Sequence, residues 1–181
     1  MTNVHPGLTT LGSICSRDTL INMASVAEVC PEGCFVEVGV FEGGSAQALY
    51  QVAERQGRKI FLYDTFEGIP YQDPVDPHKV GDFEGGDPEY ISLILPKAIV
   101  TKGIFPKSAL PMPPVAFVHL DVDQYRSYKE AMEYLEPLMV PGGVMWFDDY
   151  ECTPGATLAV NERFGKDSLS RFEQDKYYKR F

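Results

Sequence analysis

Two pairs of aspartates follow two successive predicted strands, and their type and spacing predict a site for a divalent cation. Asp121 and Asp123 come after one apolar strand, and Asp148 and Asp149 come after the next. Adjacent carboxylates repel one another, and burying them is costly unless a cation neutralises them. An all-oxygen donor set is the one that Mg²⁺ prefers, with waters completing its shell. The alternative interpretation is that Asp123 caps a helix and that the other pair is solvated.

A glycine-rich turn between the first predicted strand and the following helix has features of a nucleotide site. The run from Glu37 to Ser45 reads E-V-G-V-F-E-G-G-S. Glycine lets the backbone approach a ligand closely and leaves the helix N-terminus open to polar contacts. The dinucleotide pattern G-x-G-x-x-G needs a glycine where this chain has Val40 and Phe41, which argues against NAD. The pattern E-x-G-x-x-x-G is associated instead with S-adenosylmethionine, although a purely structural turn is the alternative.

The ends of the next two predicted strands offer further contacts for a nucleotide. Asp64 lies about twenty residues beyond the glycine turn, where a carboxylate can accept hydrogen bonds from a ribose diol, or can simply cap the next segment. Gly103 and Phe105 follow the third strand and could bracket an adenine, unless Phe105 only packs. The candidate cofactor-binding residues are Glu37, Gly39, Gly43, Ser45, Asp64, Thr65, Phe66, Gly103 and Phe105.

Alternating helices and strands must position these residues. Apolar periodicity and breaker residues predict helices over 16–29, 44–56, 87–95, 125–138 and 154–164. Almost uniformly apolar runs predict buried strands over 34–40, 59–64, 98–101, 115–121 and 144–148, with a turn at 141–143. The tail over 169–181 alternates apolar and polar residues, which predicts an antiparallel hairpin. Together the elements predict an α/β fold with a doubly wound, mostly parallel sheet whose strand ends meet at one edge.

The chain is expected to form one domain over 1–181, with an N-terminal helical segment over 1–33. Between the second and third strands, the segment 67–90 contains four prolines, four glycines and seven acidic residues. A long acidic loop inside a compact domain is typically a lid or a binding loop. We therefore expect this segment to be lid-like.

Composition limits the partners that the chain is expected to have. The 181 residues carry 16 Lys and Arg against 26 Asp and Glu, a formal charge of −10, which argues against nucleic acid and anionic membranes. No apolar run is long enough to span a bilayer, and the N-terminus does not resemble a secretory signal. The four cysteines lack the spacing of a zinc site, so free thiols and a cytoplasmic location are expected. The aromatic-rich tail could form a homodimer contact.

Five segments occur in an order that resembles one known family: Phe35–Val40, Tyr63–Pro70, Gly103–Phe105, His119–Tyr125 and Pro141–Tyr150. The set resembles the macrocin O-methyltransferase (TylF-like) family of class I S-adenosylmethionine-dependent methyltransferases. The resemblance implies a Rossmann-like sheet of seven strands with the last one antiparallel. It also implies a divalent-metal-dependent enzyme that methylates a hydroxyl of a small-molecule acceptor, commonly a sugar.

The resemblance also assigns roles to the four aspartates. It implies that Asp121, Asp148 and Asp149 hold the metal, usually Mg²⁺. It places the catalytic base just beyond the first metal ligand, which makes Asp123 the candidate and Gln124 a poor one. Asp121 and Asp123 are thus the candidate catalytic residues. Members of the family usually carry a longer N-terminal portion and extra segments that shape the acceptor pocket, so the identity of the acceptor stays open here.

Two other functions are consistent with the same sheet. An NAD(P)-dependent reductase would use a similar fold, but the glycine turn lacks the residue that a pyrophosphate needs. A non-catalytic protein that binds a nucleotide or a metal would keep the fold without the chemistry. Acidic residues at both strand ends argue against this last function, because a binding module has little use for them.

Overall fold

The predicted strands form one sheet in the computed structural model, which describes residues 10–172 and 176–181. The strands are β1 (Cys34–Val38), β2 (Ile60–Asp64), β3 (Ile99–Lys102), β4 (Val115–Leu120), β5 (Met139–Phe147), β6 (Ser170–Phe172) and β7 (Lys176–Arg180). Their order across the sheet is β3-β2-β1-β4-β5-β7-β6. All pairings are parallel except those of β7, which runs antiparallel to both β5 and β6. The predicted seven-stranded α/β fold with an antiparallel C-terminal hairpin is confirmed.

The predicted helices are also present, with ends that differ by a few residues. They are α1 (Arg17–Glu28), α2 (Gly44–Arg55), α3 (Pro88–Ile94), α4 (Tyr125–Leu135) and α5 (Pro154–Phe164), and two short 3₁₀ turns cover Glu136–Leu138 and Lys166–Ser168. Ser16 caps α1, because its side chain accepts a hydrogen bond from the amide of Thr19 at 3.1 Å. Asp87 caps α3 in the same way. None of the helices in the described part of the chain is long and apolar enough to cross a membrane.

The predicted turn at 141–143 is wrong, because these residues lie inside β5. The pairing of β4 with β5 moves from Met139 to Val144 over only two residues of β4, so the residues between them bulge out of the sheet. Gly142 has a φ of 83°, and its amide bonds to the carbonyl of the C-terminal Phe181. A proline and two glycines in sequence are compatible with a strand where the strand carries such a bulge.

Two apolar layers hold the sheet between its helices. On one face, α1 and α2 pack on a cluster that includes Phe35, Leu62 and Trp146. On the other face, α4 and α5 pack on a cluster that includes Tyr63 and Phe147. All six residues of β4 are buried, as the continuous apolar run predicts for a central strand. The carboxyl ends of β1 to β5 therefore share one edge, and the site is found there.

Candidate functional site

A cavity of 380 Å³ opens at the carboxyl edge of the parallel strands. Its volume lies within the range of small-molecule sites. Nine of the predicted site residues line it: Gly39, Asp64, Thr65, Gly103, Phe105, Asp121, Asp123, Asp148 and Asp149. Glu37, Gly43, Ser45 and Phe66 are not among the lining residues. The two halves of the sequence prediction, the glycine turn and the acidic strand ends, thus meet in one cavity.

Gly39 brings the two halves into direct contact. Its φ is 92°, and a Cβ at this position would overlap the backbone carbonyl oxygen of Asp121. Only glycine therefore allows the end of β1 to lie against the end of β4. The glycine turn and the acidic residues consequently share a wall of the cavity.

The sequence pattern suggested that the N-terminus of α2 is open to a ligand, but its first amide is already bonded within the chain. Gly43 caps the helix with a φ of 90°, and the amide of Gly44 donates to the carbonyl of Gly12 at 2.9 Å. This amide is therefore bonded to the segment before α1 and is not available to a ligand. Gly43 and Gly44 allow the segment before α1 to pass close to the start of α2, because a Cβ on Gly43 would press against Leu11 and one on Gly44 against Ser13.

Glu37 and Ser45 belong to a buried polar network behind the cavity. Glu37 is fully buried, and its Oε1 atom accepts a hydrogen bond from Ser45 Oγ and lies 2.9 Å from His119 Nδ1. On its other side, His119 Nε2 lies 3.6 Å from Asp148 Oδ1. Burial lowers the pKa of His119, but the carboxylates of Asp148 and Glu37 outweigh it and raise that pKa well above its usual value. The imidazole thus links the glycine turn to the acidic residues.

Asp64 supports the glycine turn through its backbone. Its Oδ2 atom accepts hydrogen bonds from the amides of Val40 at 2.6 Å and Phe41 at 2.8 Å, and its Oδ1 accepts from the amide of Phe66 at 2.7 Å. A carboxylate has about four lone-pair positions, so little acceptor capacity is left for a ribose diol. Phe66 itself is buried, and its φ of 54° turns the chain into the segment that follows.

The remaining predicted contacts lie at the ends of β2 and β3. Thr65 Oγ1 donates to the carbonyl of Gly68 at 2.6 Å, which closes the turn after β2. The amide of Gly103 donates to the carbonyl of Asp64 at 2.8 Å. Phe105 is buried and packs against Tyr63, with ring centroids 4.9 Å apart, so it is a packed side chain that also forms part of the cavity wall.

The four aspartates lie together but differ in their partners. Ligand atoms of Asp121, Asp148 and Cys15 lie within 4.8 Å of one another. Asp149 is outside this group. It is buried, and its Oδ2 accepts hydrogen bonds from Tyr128 Oη and from the amide of Asp123, both at 2.9 Å.

Crowding and burial raise the pKa values of three of these four carboxyls. Burial, followed by the charges of Asp148 and Asp149, raises the pKa of Asp121 well above its usual value. Burial and the charges of Asp123 and Asp148 raise the pKa of Asp149 to about 7. Burial is also the largest cause that raises the pKa of Asp123 to about 6. Asp148 differs, because His119 and Lys176 overcome the effect of burial and lower its pKa.

Among the four aspartates, Asp123 alone has a left-handed backbone conformation. Its φ is 58°, a left-handed conformation that an Asp adopts far less readily than a glycine. Its Oδ1 lies 3.8 Å from Nε2 of His78, which comes from the segment 67–90. Strained residues of this kind are concentrated at functional sites.

The donor set fits a divalent cation in its chemistry. Asp121 and Asp148 offer carboxylate oxygens at close range, and Asp148 Oδ1 is buried without a hydrogen-bond partner. Such oxygens suit Mg²⁺ or Mn²⁺. Cys15 fits less well, because burial and the nearby acids raise the pKa of its thiol, which keeps the sulfur protonated.

The predicted lid-like segment covers one side of the cavity. Backbone hydrogen bonds close a loop within it, from the amide of Ile69 to Asp82 at 2.9 Å and from the amide of Gly81 to Ile69 at 3.0 Å. Asp76 is buried and accepts a hydrogen bond from the first amide of α4, at Tyr125, at 2.9 Å. Ile69 and Phe83 line the cavity. The segment is therefore closed on itself and attached to α4.

Three residues of this site were missed at the level of sequence. Lys176 contacts Asp148, Cys15 contacts the same carboxylate, and His119 lies 3.6 Å from its other oxygen. The one available signal was pairing register, since a hairpin strand placed beside β5 puts Lys176 next to Asp148.

Comparisons with known proteins identify the family of this chain. A family model described as a methyltransferase domain matches residues 36–150. The 8-demethyl-8-(2,3-dimethoxy-alpha-L-rhamnosyl)-tetracenomycin-C 4'-O-methyltransferase of Streptomyces olivaceus is 31% identical over 160 residues, which cover 76% of this chain and 60% of that protein. The mycinamicin III 3''-O-methyltransferase of Micromonospora griseorubida is 25% identical over 162 residues, which cover 76% of this chain and 63% of that protein.

A solved structure shares the fold. The O-methyltransferase NovP superposes with a TM-score of 0.79 at 22% identity, covering 93% of this chain and 81% of that one. The chain spans about 60% of the length of the curated relatives that it matches.

Proposed function

We propose a function from the premise that this chain belongs to the TylF-like family of class I methyltransferases. The function is transfer of a methyl group from S-adenosylmethionine to a hydroxyl of a sugar or a similar small polyol, assisted by a divalent cation. The observation that carries the proposal is the shared wall at Gly39 and Asp121. A donor bound at the glycine turn would lie beside the acidic residues, where an acceptor hydroxyl can be activated.

The donor, when bound, supplies an electrophilic methyl group on its sulfonium. The residues of this chain that would hold it line the cavity: Gly39, Asp64, Thr65, Gly103 and Phe105. Glu37, Gly43, Ser45 and Phe66 would act indirectly, by fixing the glycine turn from behind. Asp64 contributes mainly by orienting the amides of Val40 and Phe41.

A divalent cation would be held by Asp121 and Asp148, with Asp149 as the third predicted ligand. When bound, such a cation supplies Lewis-acid activation of a hydroxyl. Asp149 Oδ2 is bonded to Tyr128 and to the amide of Asp123, so its other oxygen, Oδ1, would be the ligand atom. The relatives' printed names support the acceptor class, because both are O-methyltransferases and one acts on a rhamnosyl-bearing compound.

Asp123 is the proposed general base. Its carboxyl lines the cavity, and its pKa of about 6 leaves it mostly ionised near neutral pH while keeping it basic enough to accept a proton. His78, whose ring lies 3.8 Å away, would orient this carboxylate. The proton of the acceptor hydroxyl would pass to Asp123 as the oxygen bonds to the methyl carbon and the bond from that carbon to the sulfonium sulfur breaks, which leaves S-adenosylhomocysteine.

The segment 67–90 would serve as a lid over a single catalytic domain. Ile69 and Phe83 already face the cavity, so closure of this segment over two bound substrates would exclude water from the reacting atoms. Its attachment through Asp76 to the first turn of α4 fixes the middle of the segment.

Calorimetry tests the proposal. S-adenosylmethionine, S-adenosylhomocysteine and NAD are titrated into the protein with and without Mg²⁺, and a panel of sugar, polyol and catechol acceptors is then screened for methyl transfer. We expect the protein to bind the adenosyl ligands and to transfer methyl groups faster in the presence of Mg²⁺. Binding of NAD alone would support the reductase alternative, and adenosyl binding that persists without any turnover would support a binding protein.

A further inference from the structure

We infer that the ammonium group of Lys176 is a resident counter-cation of Asp148, which a divalent cation must displace in order to bind. This inference rests on the metal-dependent part of the proposed function. It concerns a residue that the other features of the site leave unexplained.

The contacts of Lys176 are close and specific. Its Nζ donates to Asp148 Oδ2 at 2.8 Å and to the backbone carbonyl of the same residue at 2.9 Å. The Lys176 side chain is 19% exposed and that of Asp148 is 13% exposed, and both residues line the cavity. The thiol of Cys15 approaches the same Oδ2 at 3.8 Å. Of the two carboxylate oxygens that Asp148 could offer to a metal, Oδ2 is therefore already bonded to Lys176.

The fold, rather than a flexible side chain alone, puts the charge there. β7 pairs with β5 so that Tyr177 lies opposite Phe147. Lys176 precedes Tyr177 and Asp148 follows Phe147, and antiparallel pairing therefore brings them together. A lysine that is mostly buried requires a charged partner, and Asp148 provides it.

The electrostatic consequence is competition. At an effective dielectric constant of about 20, unit charges about 4 Å apart interact strongly enough to change a binding constant by more than tenfold. A divalent cation at Asp121 and Asp148 would meet that repulsion unless the ammonium moved away. A purely structural ion pair predicts a different result, because removing it would leave metal affinity unchanged or weaken it through loss of order at Asp148.

Binding of Mn²⁺ to the full chain distinguishes these two roles. The free ion is counted by electron paramagnetic resonance in the absence of donor and acceptor, so that the measurement does not depend on activity. We expect Lys176→Met to bind Mn²⁺ about tenfold more tightly than the wild type. Lys176→Arg keeps the charge and should stay within about threefold of the wild type.

A matched control separates local from global charge. Lys97 forms an exposed ion pair with Glu54 at 3.2 Å. It lies just before β3, the outermost strand on the side of the sheet away from β7. Lys97→Met removes the same charge and should leave Mn²⁺ affinity unchanged. Lys176→Gln is a second neutral variant that keeps a hydrogen-bond donor toward Asp148, and thermal melting followed by circular dichroism verifies that each variant is folded.

One measurement needs no neutral variant to fold. Lysine side chains of the wild type are labelled by reductive ¹³C-methylation, and the signal of Lys176 is assigned by its loss in Lys176→Arg. The inference expects this signal to move on addition of Mg²⁺, while that of Lys97 stays in place. A Lys176 signal that does not respond to bound metal overturns the inference.

The outcomes separate the inference from the function on which it rests. If the wild type binds Mn²⁺ and Lys176→Met binds it equally or less tightly, the inference is wrong and the metal site stands. If only the neutral variants bind Mn²⁺, the inference is supported, and the wild-type chain loses its metal-dependent role. If no folded form binds Mn²⁺, both are overturned.

Discussion

The two halves of the cavity wall are built in opposite ways. At the ends of β1 and β2 most polar groups are bonded within the chain, because Asp64 accepts three backbone amides and the first amide of α2 is bonded to Gly12, although Glu37 Oε2 is buried without a hydrogen-bond partner. At the ends of β4 and β5, four carboxylates crowd together, and the buried atoms Asp148 Oδ1 and His119 Nε2 face each other at 3.6 Å, too far apart for a hydrogen bond, with no other hydrogen-bond partner. The first half, the scaffold half, is thus held together largely by its own hydrogen bonds, in contrast to the acidic half. The second holds polar groups that a ligand or a reacting atom would complete.

This difference predicts how each half responds to substitution. Changes in the scaffold half should act mainly on the free energy of unfolding, because they break bonds that hold the chain. Changes at Asp121 and Asp123 in the acidic half should act mainly on binding and turnover, whereas Asp149 also accepts hydrogen bonds from Tyr128 and from the amide of Asp123.

Substitution of the proposed base should have the largest effect. Asp123→Asn removes the proton acceptor, and we expect turnover to fall by about 10²- to 10⁴-fold, as is usual for loss of general base catalysis. The free energy of unfolding should change by less than about 1 kcal/mol, because the backbone bonds around Asp123 do not use its side chain. Initial rates of methyl transfer and urea denaturation measure the two effects. Glu133→Gln, an exposed acid on α4, serves as the control. Retention of near wild-type turnover in Asp123→Asn would remove Asp123 from the mechanism.

Gly39→Ala tests the junction between the halves. An added Cβ would overlap the carbonyl of Asp121, and the φ of 92° at this position is unfavourable for alanine, so we expect a loss of about 3 kcal/mol or more in the free energy of unfolding. Gly57→Ala is the matched control, since Gly57 also has a positive φ of 66° but no atom lies within 4 Å of its Cβ position. That variant should lose about 1 kcal/mol. Equal losses in the two variants would show that the contact with Asp121 does not determine the fold here.

Asp64→Ala measures the scaffold half directly. Three backbone amides lose a charged acceptor, and we expect about 2 kcal/mol of destabilisation, together with weaker binding of S-adenosylhomocysteine. Asp64→Asn keeps one acceptor oxygen and should lose about half as much. Denaturation curves and calorimetry give both quantities. A stable Asp64→Ala variant with unchanged ligand affinity contradicts the role assigned to these bonds.

The same contrast explains what could be predicted from sequence. Buried strands are continuous apolar runs and amphipathic helices show apolar periodicity, so the parallel sheet could be predicted from local patterns. The ends of its strands placed Asp64 and the two aspartate pairs at one edge. The use made of each group did not follow. That Asp64 would bind backbone amides, and that Glu37 would turn toward His119, depends on side-chain geometry between elements. Lys176 depends on the register of a C-terminal hairpin, which periodicity alone does not determine.

The smallest effect is expected from Asp121→Asn in metal-free buffer, and its sign is the informative part. Burial and neighbouring carboxylates raise the pKa of Asp121, which means that its ionised form is disfavoured in the folded protein. The neutral and nearly isosteric Asn removes that repulsion, so we expect the free energy of unfolding to rise by about 1 kcal/mol. In the wild type, by contrast, added Mg²⁺ should increase stability through binding to the folded state, and this gain should be lost in the variant. Thermal melting with and without Mg²⁺ measures both effects, with Glu133→Gln again as the control. A destabilised Asp121→Asn variant would mean that the acidic half, like the glycine turn, uses its charges to hold the chain together, and the contrast between the two halves would disappear.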